Sequence, residues 1–336
     1  MNRRELLKQF IGIGGLALAS PLIGACQPNK TQTFSNVKTQ IAFVKTNDRA
    51  KGISQAIDLL KLPKFNKKDL FIKPNFNSAD ETPGSTHNDT LKTLISKLRE
   101  MDSGKLTIGD RSGMGNTNDV FENKKVFALA KDLDVNTVIF DDLKKEDWEL
   151  INLQGSNWKQ GFYIPKPLKN AGGIIQTCCL KTHQYGGHFT LSLKNSVGIA
   201  AKRVPENDYN FMSELHSSPN QRTMIAEINA SYKPDLVILD GVDAFTTGGP
   251  HTGKQVNSSV ILAGTDRIAI DAVGVAILRH FGTTDEVSAG KIFEQAQIKR
   301  AVELNLGVSS PQNIEFVTND AESAKYAKEI QAILNA

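Results

Sequence analysis

Lys181, His183, His188, Lys194 and Asn195 fall within one short run, CCLKTHQYGGHFTLSLKNSVG, from Cys178 to Gly198 at the end of an apolar stretch. Ammonium groups neutralise phosphate or carboxylate, and imidazole changes charge near neutral pH, so this set can bind an anion and move a proton. If TLSLKNSVG is helical, Lys194 and Asn195 lie near the start of a strand-to-helix unit, where backbone donors add to the attraction. The run predicts a site for a small anionic ligand. Lys181 and Asn195 would bind it, with His183 and Lys194 as catalytic groups.

Other apolar runs end in the same way. Lys73-Pro74-Asn75 follows DLFI, Asp110-Arg111-Ser112 follows KLTIG, Asp240-Gly241 follows DLVIL, and Thr265-Asp266 follows SSVILAG. In parallel α/β sheets such carboxyl ends gather along one edge, where ligands bind. Lys73, Asn75 and Arg111 are therefore expected to contact the ligand. Asp110 and Asp240 would be proton-transfer carboxylates or, with His183, a site for a divalent metal, although no HExxH-like spacing is present. Asp110 beside Arg111 could equally be a self-contained ion pair. Asp266 and Asp271 read as favouring the amino end of the helix that begins at Arg267.

Gly248 to Lys254, GGPHTGK, satisfies most of the phosphate-loop pattern but has Gln255 where Ser or Thr would hold magnesium, and a strand-like run follows. ATP hydrolysis is a poor fit to that context. The stretch is expected to be a glycine loop carrying His251 and Lys254 over the pocket, or else a tight turn between strands.

The elements that must position these residues alternate along the chain. QIAFVKT, DLFIKPN, KLTIGD, NTVIFDD, GGIIQTCCL, DLVILDG and SSVILAGTD read as strands, with helical patterns such as ISQAIDLLKL, NDTLKTLISKLREM and RIAIDAVGVAILRHF between many of them. This predicts an α/β fold, a largely parallel sheet with helices on both faces, built as one large domain or two lobes. Cys178 and Cys179 are adjacent on a strand and point to opposite faces, so they read as small buried hydrophobes, with thiolate metal ligation the lesser alternative. No CxxC spacing occurs, which excludes an iron-sulfur cluster held by cysteines of this chain.

The amino terminus predicts a destination. Arg3 and Arg4 with Leu6, Leu7 and Lys8 fit a twin-arginine signal, and the weakly apolar stretch that follows is too short for a spanning helix. Ile23-Gly24-Ala25-Cys26 resembles a lipobox. The expected organisation is a signal peptide over 1–25, a tether over 26–38 that starts at a lipidated Cys26, and an α/β domain over 39–336. The protein would use the twin-arginine export machinery and stand on the periplasmic side, anchored to the membrane. That route carries folded cargo, which favours insertion of any cofactor or metal before export. Removing residues 1–25 takes away Arg3, Arg4, Lys8 and Glu5, so the formal charge falls from +4 to +2. Nothing in that balance points to nucleic acid.

IKPNFN, IGDRSG, CLKTHQYGGHFTLSLKNSVG, LDGVDAFTTGGPHTG and DRIAIDAVG, in this order, resemble the motif series of the bacterial and archaeal family catalogued as domain of unknown function 362. The resemblance extends from about Gln40 past Arg279 and implies no general activity. Some members carry a ferredoxin-like cluster module, whose cysteines this chain lacks. By spacing alone, His183, His188 and Lys194 also resemble the histidine and lysine site of nickel-pincer lactate racemases. The reading is an enzyme for a small anionic substrate, whether oxidoreductase, isomerase or hydrolase. The alternative is a lipoprotein that binds a solute or cofactor without catalysis.

Overall fold

A computed structural model describes residues 38–336. The expected signal peptide, Cys26 and all but the last residue of the expected tether lie outside the described residues. From Lys38 the chain alternates: β1 (Thr39–Lys45), α1 (Arg49–Leu59), β2 (Leu70–Lys73), α2 (Asn88–Glu100), β3 (Leu106–Asp110), α3 (Thr117–Asn123), α4 (Val126–Asp132) and β4 (Asn136–Ile139). A separate antiparallel pair follows, β5 (Trp148–Ile151) and β6 (Phe162–Pro165), then α5 (Lys166–Lys169). The central segment is β7 (Gly173–His183), β8 (His188–Thr190), α6 (Ser192–Asn195), α7 (Phe211–Ser217) and α8 (Gln221–Ile228). β9 (Leu236–Gly248), β10 (Gly253–Gly264), α9 (Arg267–His280), α10 (Asp285–Ser288), α11 (Ala296–Glu303), β11 (Ile314–Val317) and α12 (Ala321–Asn335) complete the chain.

The main sheet has the order β11-β1-β10-β9-β7-β2-β3-β4, with β8 folded back on β7. Pairing is parallel except where β10 meets β1 and β9, and where β8 meets β7. A largely parallel sheet with helices on both faces is thus what forms. Strands covered on both sides read as nearly continuous apolar runs, and every residue of β7 is buried, including the polar ones at its carboxyl end. One face packs Phe43, Leu180, Leu239 and Leu262 against α9 and α12. The other packs Ile72, Ile108, Ile238 and Ile261 against α1 and α2. A third core, around Phe140, Phe162, Phe211 and Ile225, lies where β6, α7 and α8 meet. The described residues belong to a single compact unit, and none of their helices is long and apolar enough to cross a membrane.

Two strands run further than their apolar runs predict. β7 continues through Lys181, Thr182 and His183 because β8 pairs with those residues as a hairpin, in a region expected to be helical. β9 does not stop at Gly241 but runs to Gly248, since β10 pairs with it along most of its length across two register shifts. GGPHTGK is the tight connection at the end of that pair, with Gly248 and Gly249 both at positive φ. Cys178 and Cys179 are buried free thiols, and burial pushes Cys179 up to about 11, which disfavours the thiolate a metal would need.

Candidate anion-binding site

β2, β3 and β7 end on the residues Lys73, Asp110 and His183, and these ends meet at a cavity of about 230 Å³ on the carboxyl edge of the sheet. Eight of the expected site residues line it: Lys73, Asn75, Asp110, Arg111, Lys181, His183, Lys194 and Asn195. Met114 and Tyr185, 41% and 52% exposed, also line it, so the cavity has an open mouth with an apolar rim.

Its floor is a closed polar network. Lys73 Nζ pairs with Asp110 Oδ1 at 2.7 Å and also donates to the Pro74 carbonyl and to Asn195 Oδ1. Asp110 Oδ1 also accepts the Arg111 N–H, while Oδ2 accepts the Phe76 N–H. Asn195 Nδ2 donates to the Thr177 carbonyl. Burial pushes Lys73 down and Asp110 up, each opposed by the other's charge. All three ammonium protons of Lys73 are committed, so it positions Asp110 and Asn195 and is not free to clamp a ligand. Gly198 lets this layer close, because a Cβ there would lie 2.6 Å from Asp110 Oδ1 and 2.9 Å from Lys73 Nζ.

Arg111 is occupied in the same sense. Its guanidinium donates to the carbonyls of Ala200 (3.0 Å), Ser112 (3.1 Å) and Val197 (2.6 Å), and one nitrogen lies 3.2 Å from Met212 Sδ. Arg111 therefore grips the turn after α6 and contributes its field more than its donors. The amino end of α6 is taken as well: the N–H groups of Ser192 (2.8 Å) and Leu193 (3.2 Å) donate to Asp271 Oδ1. The backbone donors expected to face an anion face a carboxylate of α9 instead.

Two cations remain. Lys181 is fully buried and its Nζ donates to the Gly84 carbonyl, leaving further protons for the cavity. Lys194 is 7% exposed, and its Nζ makes no hydrogen bond or ion pair within the protein. Burial, then the charges of Lys181 and Arg111, lower Lys194 to about 7. His183 lies well below its ordinary value through burial, then the charges of Lys194, Lys181 and His216, so its ring is neutral. Its Nδ1 accepts the Tyr185 N–H at 3.3 Å, which places the ring proton on Nε2. Gly187 lets the two groups come together, since a Cβ there would press on Lys194 Cε and lie 3.0 Å from His183 Nδ1.

Residues 70–276 match the family described as Domain of unknown function (DUF362). The chain belongs to this family. The matched span starts at β2 and ends within α9, short of the Gln40-to-Arg279 extent of the motif resemblance, and it contains every strand end that builds the cavity. No curated protein matches the chain. Among solved structures, the lactate racemase apoprotein from Thermoanaerobacterium thermosaccharolyticum is similar at 13% identity and a TM-score of 0.45, over 86% of this chain and 85% of that chain.

Not every expected residue of this DUF362 chain reaches the cavity. Asp240 sits in mid-strand in β9, fully buried, where Arg49 Nε (3.0 Å) and Thr90 Oγ1 (2.8 Å) donate to it. The error follows from ending β9 too early. His251 stacks on Tyr185 with ring centroids 6.4 Å apart, and Lys254 is exposed beyond the turn; from that loop Pro250 alone lines the cavity. His188 is the cross-strand partner of His183 in the β7–β8 hairpin, but it does not line the cavity as His183 and Lys194 do. His183, Asp110 and Asp240 are not a metal-binding set, because each carboxylate is held by its own partners. Among the described residues no group of three His, Cys, Asp or Glu side chains is placed to hold a metal ion.

The cavity also contains residues the sequence reading passed over: Asn77, Thr190, Lys202, Met212 and His216. Asn75 Oδ1, Asn77 Nδ2 and Thr190 Oγ1 are buried polar atoms without a partner, and buried polar groups are normally paired. Asn77 was within reach of the sequence, since it follows Asn75 by two in IKPNFN. Thr190 was not, because its place opposite Lys181 depends on a hairpin that the motif conceals.

Proposed function

We propose that this DUF362 protein is an enzyme that binds a small anion at the carboxyl edge of its sheet, transfers protons with Lys194 and orients the substrate with the neutral ring of His183. One observation carries the reading: Lys194 Nζ is buried, cationic or amine near neutral pH, and has no partner in the protein. Among the described residues lining the cavity, Asp110 is the one carboxylate, and Lys73 already neutralises it. Lys181, Lys194, Arg111 and Lys202 then leave an uncompensated positive field in a small space, which an anion would relieve. The orphaned Thr190 hydroxyl and Asn77 amide supply neutral donors beside it.

The test is thermal unfolding of the full chain in phosphate, sulfate, oxalate and lactate, set against Lys194→Met. At least one anion should raise Tm in the native protein and lose that effect in the variant. Equal response of both proteins, or none in either, would remove the anion site. His183→Ala should keep affinity within about tenfold while losing turnover of whatever substrate is found.

We also infer export through the twin-arginine route and anchoring at a lipidated Cys26. The described residues begin at Lys38, just before β1, which is parallel in direction to β7 and so starts on the edge opposite the cavity.

A further inference from the structure

We propose that Lys194 is a covalent nucleophile, and that the anions this cavity takes include small 2-oxo acids, which it holds as an imine on Nζ. The inference deepens the anion-site reading and rests on it. Lys194 differs from Lys73 and Lys181 in a way that matters for bond formation: the other two spend protons on carbonyls or a carboxylate, whereas Lys194 Nζ points at nothing in the protein. An amine that is to attack a carbonyl must be unprotonated and unencumbered. Burial and two neighbouring cations supply the first condition, since they bring Lys194 to about 7 and leave a substantial neutral fraction at neutral pH.

The surroundings fit the electrophile. A cavity of about 230 Å³ admits a two- or three-carbon acid. Lys181 offers its remaining ammonium protons to the carboxylate, and the partnerless Thr190 Oγ1, opposite Lys181 in the β7–β8 hairpin, can donate to the carbonyl oxygen. The neutral His183, packed with Lys194 about Gly187, carries a proton on Nε2 that can donate a hydrogen bond to the carbonyl oxygen. The step balances without a further reagent. The Nζ lone pair forms the N–C bond as the C=O π bond breaks; the two nitrogen protons leave with the carbonyl oxygen as water, and the C=N bond closes.

The experiment is reductive trapping on the full chain with glyoxylate as the probe and cyanoborohydride as reductant, followed by peptide mass mapping. Reduction of the glyoxylate imine leaves an N-carboxymethyl group. The expected result is saturable carboxymethylation of Lys194 at least tenfold faster than of the exposed lysines, suppressed by oxalate, which has the carboxylates but no reactive ketone. Lys194→Arg, which keeps the charge, should lose the fast-labelled site while retaining stabilisation by oxalate. Labelling spread over exposed lysines with Lys194 unmodified overturns the proposal. If oxalate or another of the tested anions still stabilises the native protein in that case, only the imine falls; if none of them has an effect, the anion site falls with it.

Discussion

Asp271 Oδ1 accepts the backbone N–H of Ser192 at 2.8 Å, two residues before Lys194. The bond joins the buried helix α9 to the four-residue α6, which is too short to hold itself and carries both Lys194 and Asn195. Asp271 therefore sets the height and direction of the cavity's free amine without touching the cavity. Asp271→Ala should strand the Ser192 and Leu193 donors at roughly 1–3 kcal/mol each, seen as a lower urea midpoint. Asp271→Asn keeps an acceptor oxygen and should restore most of that loss.

The same carboxyl makes a pH prediction. Burial pushes Asp271 up to about 8, against the pull of the Leu193 and Ser192 N–H groups, from an ordinary 3.8. Between those values the folded state binds more protons than the unfolded chain, so this residue's contribution is full below about 4 and is lost as pH rises towards 8. Stability measured by urea unfolding from pH 4 to 8 should fall more steeply in the native protein than in Asp271→Asn. Parallel slopes would place the titration elsewhere.

Gly187 is the next point of control. A methyl group there would meet Lys194 Cε and His183 Nδ1, and the flexible lysine is the side that can give way. Gly187→Ala should weaken anion binding about tenfold or more by calorimetry while changing Tm little. Gly198→Ala differs in kind: its Cβ would meet the Asp110–Lys73 pair, which has no room to move, and should lower Tm strongly.

These dependencies show what the sequence could and could not reveal. The parallel sheet was legible because buried strands leave continuous apolar runs, and the site's edge was legible because Lys73, Asp110 and the Lys181–His183 segment each end such a run. What each residue does there was not. Lys73, Arg111 and Asn195 look like ligand contacts by type, yet their donors go to carbonyls and carboxylates far away in sequence, such as Val197 and Ala200 for Arg111. Asp240 was misplaced for a related reason, since strand pairing with β10 carries β9 past the glycine that seemed to end it. Asp271 read as a helix-end residue of α9, but that cap is Asp266, and the partner of Asp271 lies 79 residues earlier.

Asp240 gives a prediction that separates fold from site. It is held by Arg49 and Thr90 on the face covered by α1 and α2, away from the cavity. Asp240→Ala removes one partner of a buried pair and should cost roughly 3 kcal/mol, read by urea unfolding. Anion affinity in the folded fraction should stay within about twofold. A selective loss of affinity would return Asp240 to the site.

Ligand binding should itself titrate with Lys194. Its value of about 7 against an ordinary 10.5 means that the ammonium is present below pH 7 and fades above it. Anion affinity should therefore be greatest below pH 7 and decline through it, and Lys194→Arg should flatten the decline because guanidinium stays charged. Stability has the opposite sign: between about 7 and 10.5 the unfolded chain holds the proton that the folded chain has released, so stability from this residue rises with pH. Observing both trends in one protein, and neither in the variant, would assign them to the same amine.

Localisation is tested at the other end of the chain. Cys26→Ser should release mature protein into the soluble fraction if the cysteine carries the lipid anchor, and Arg3→Lys with Arg4→Lys should hold precursor inside the cell if export is by the twin-arginine route. Fractionation of all three strains distinguishes the two signals, because loss of the anchor alone leaves export intact. Since β1 starts on the edge opposite the cavity, the soluble Cys26→Ser protein should bind anions as the anchored form does. A change in affinity on release would mean instead that the membrane surface takes part in the site.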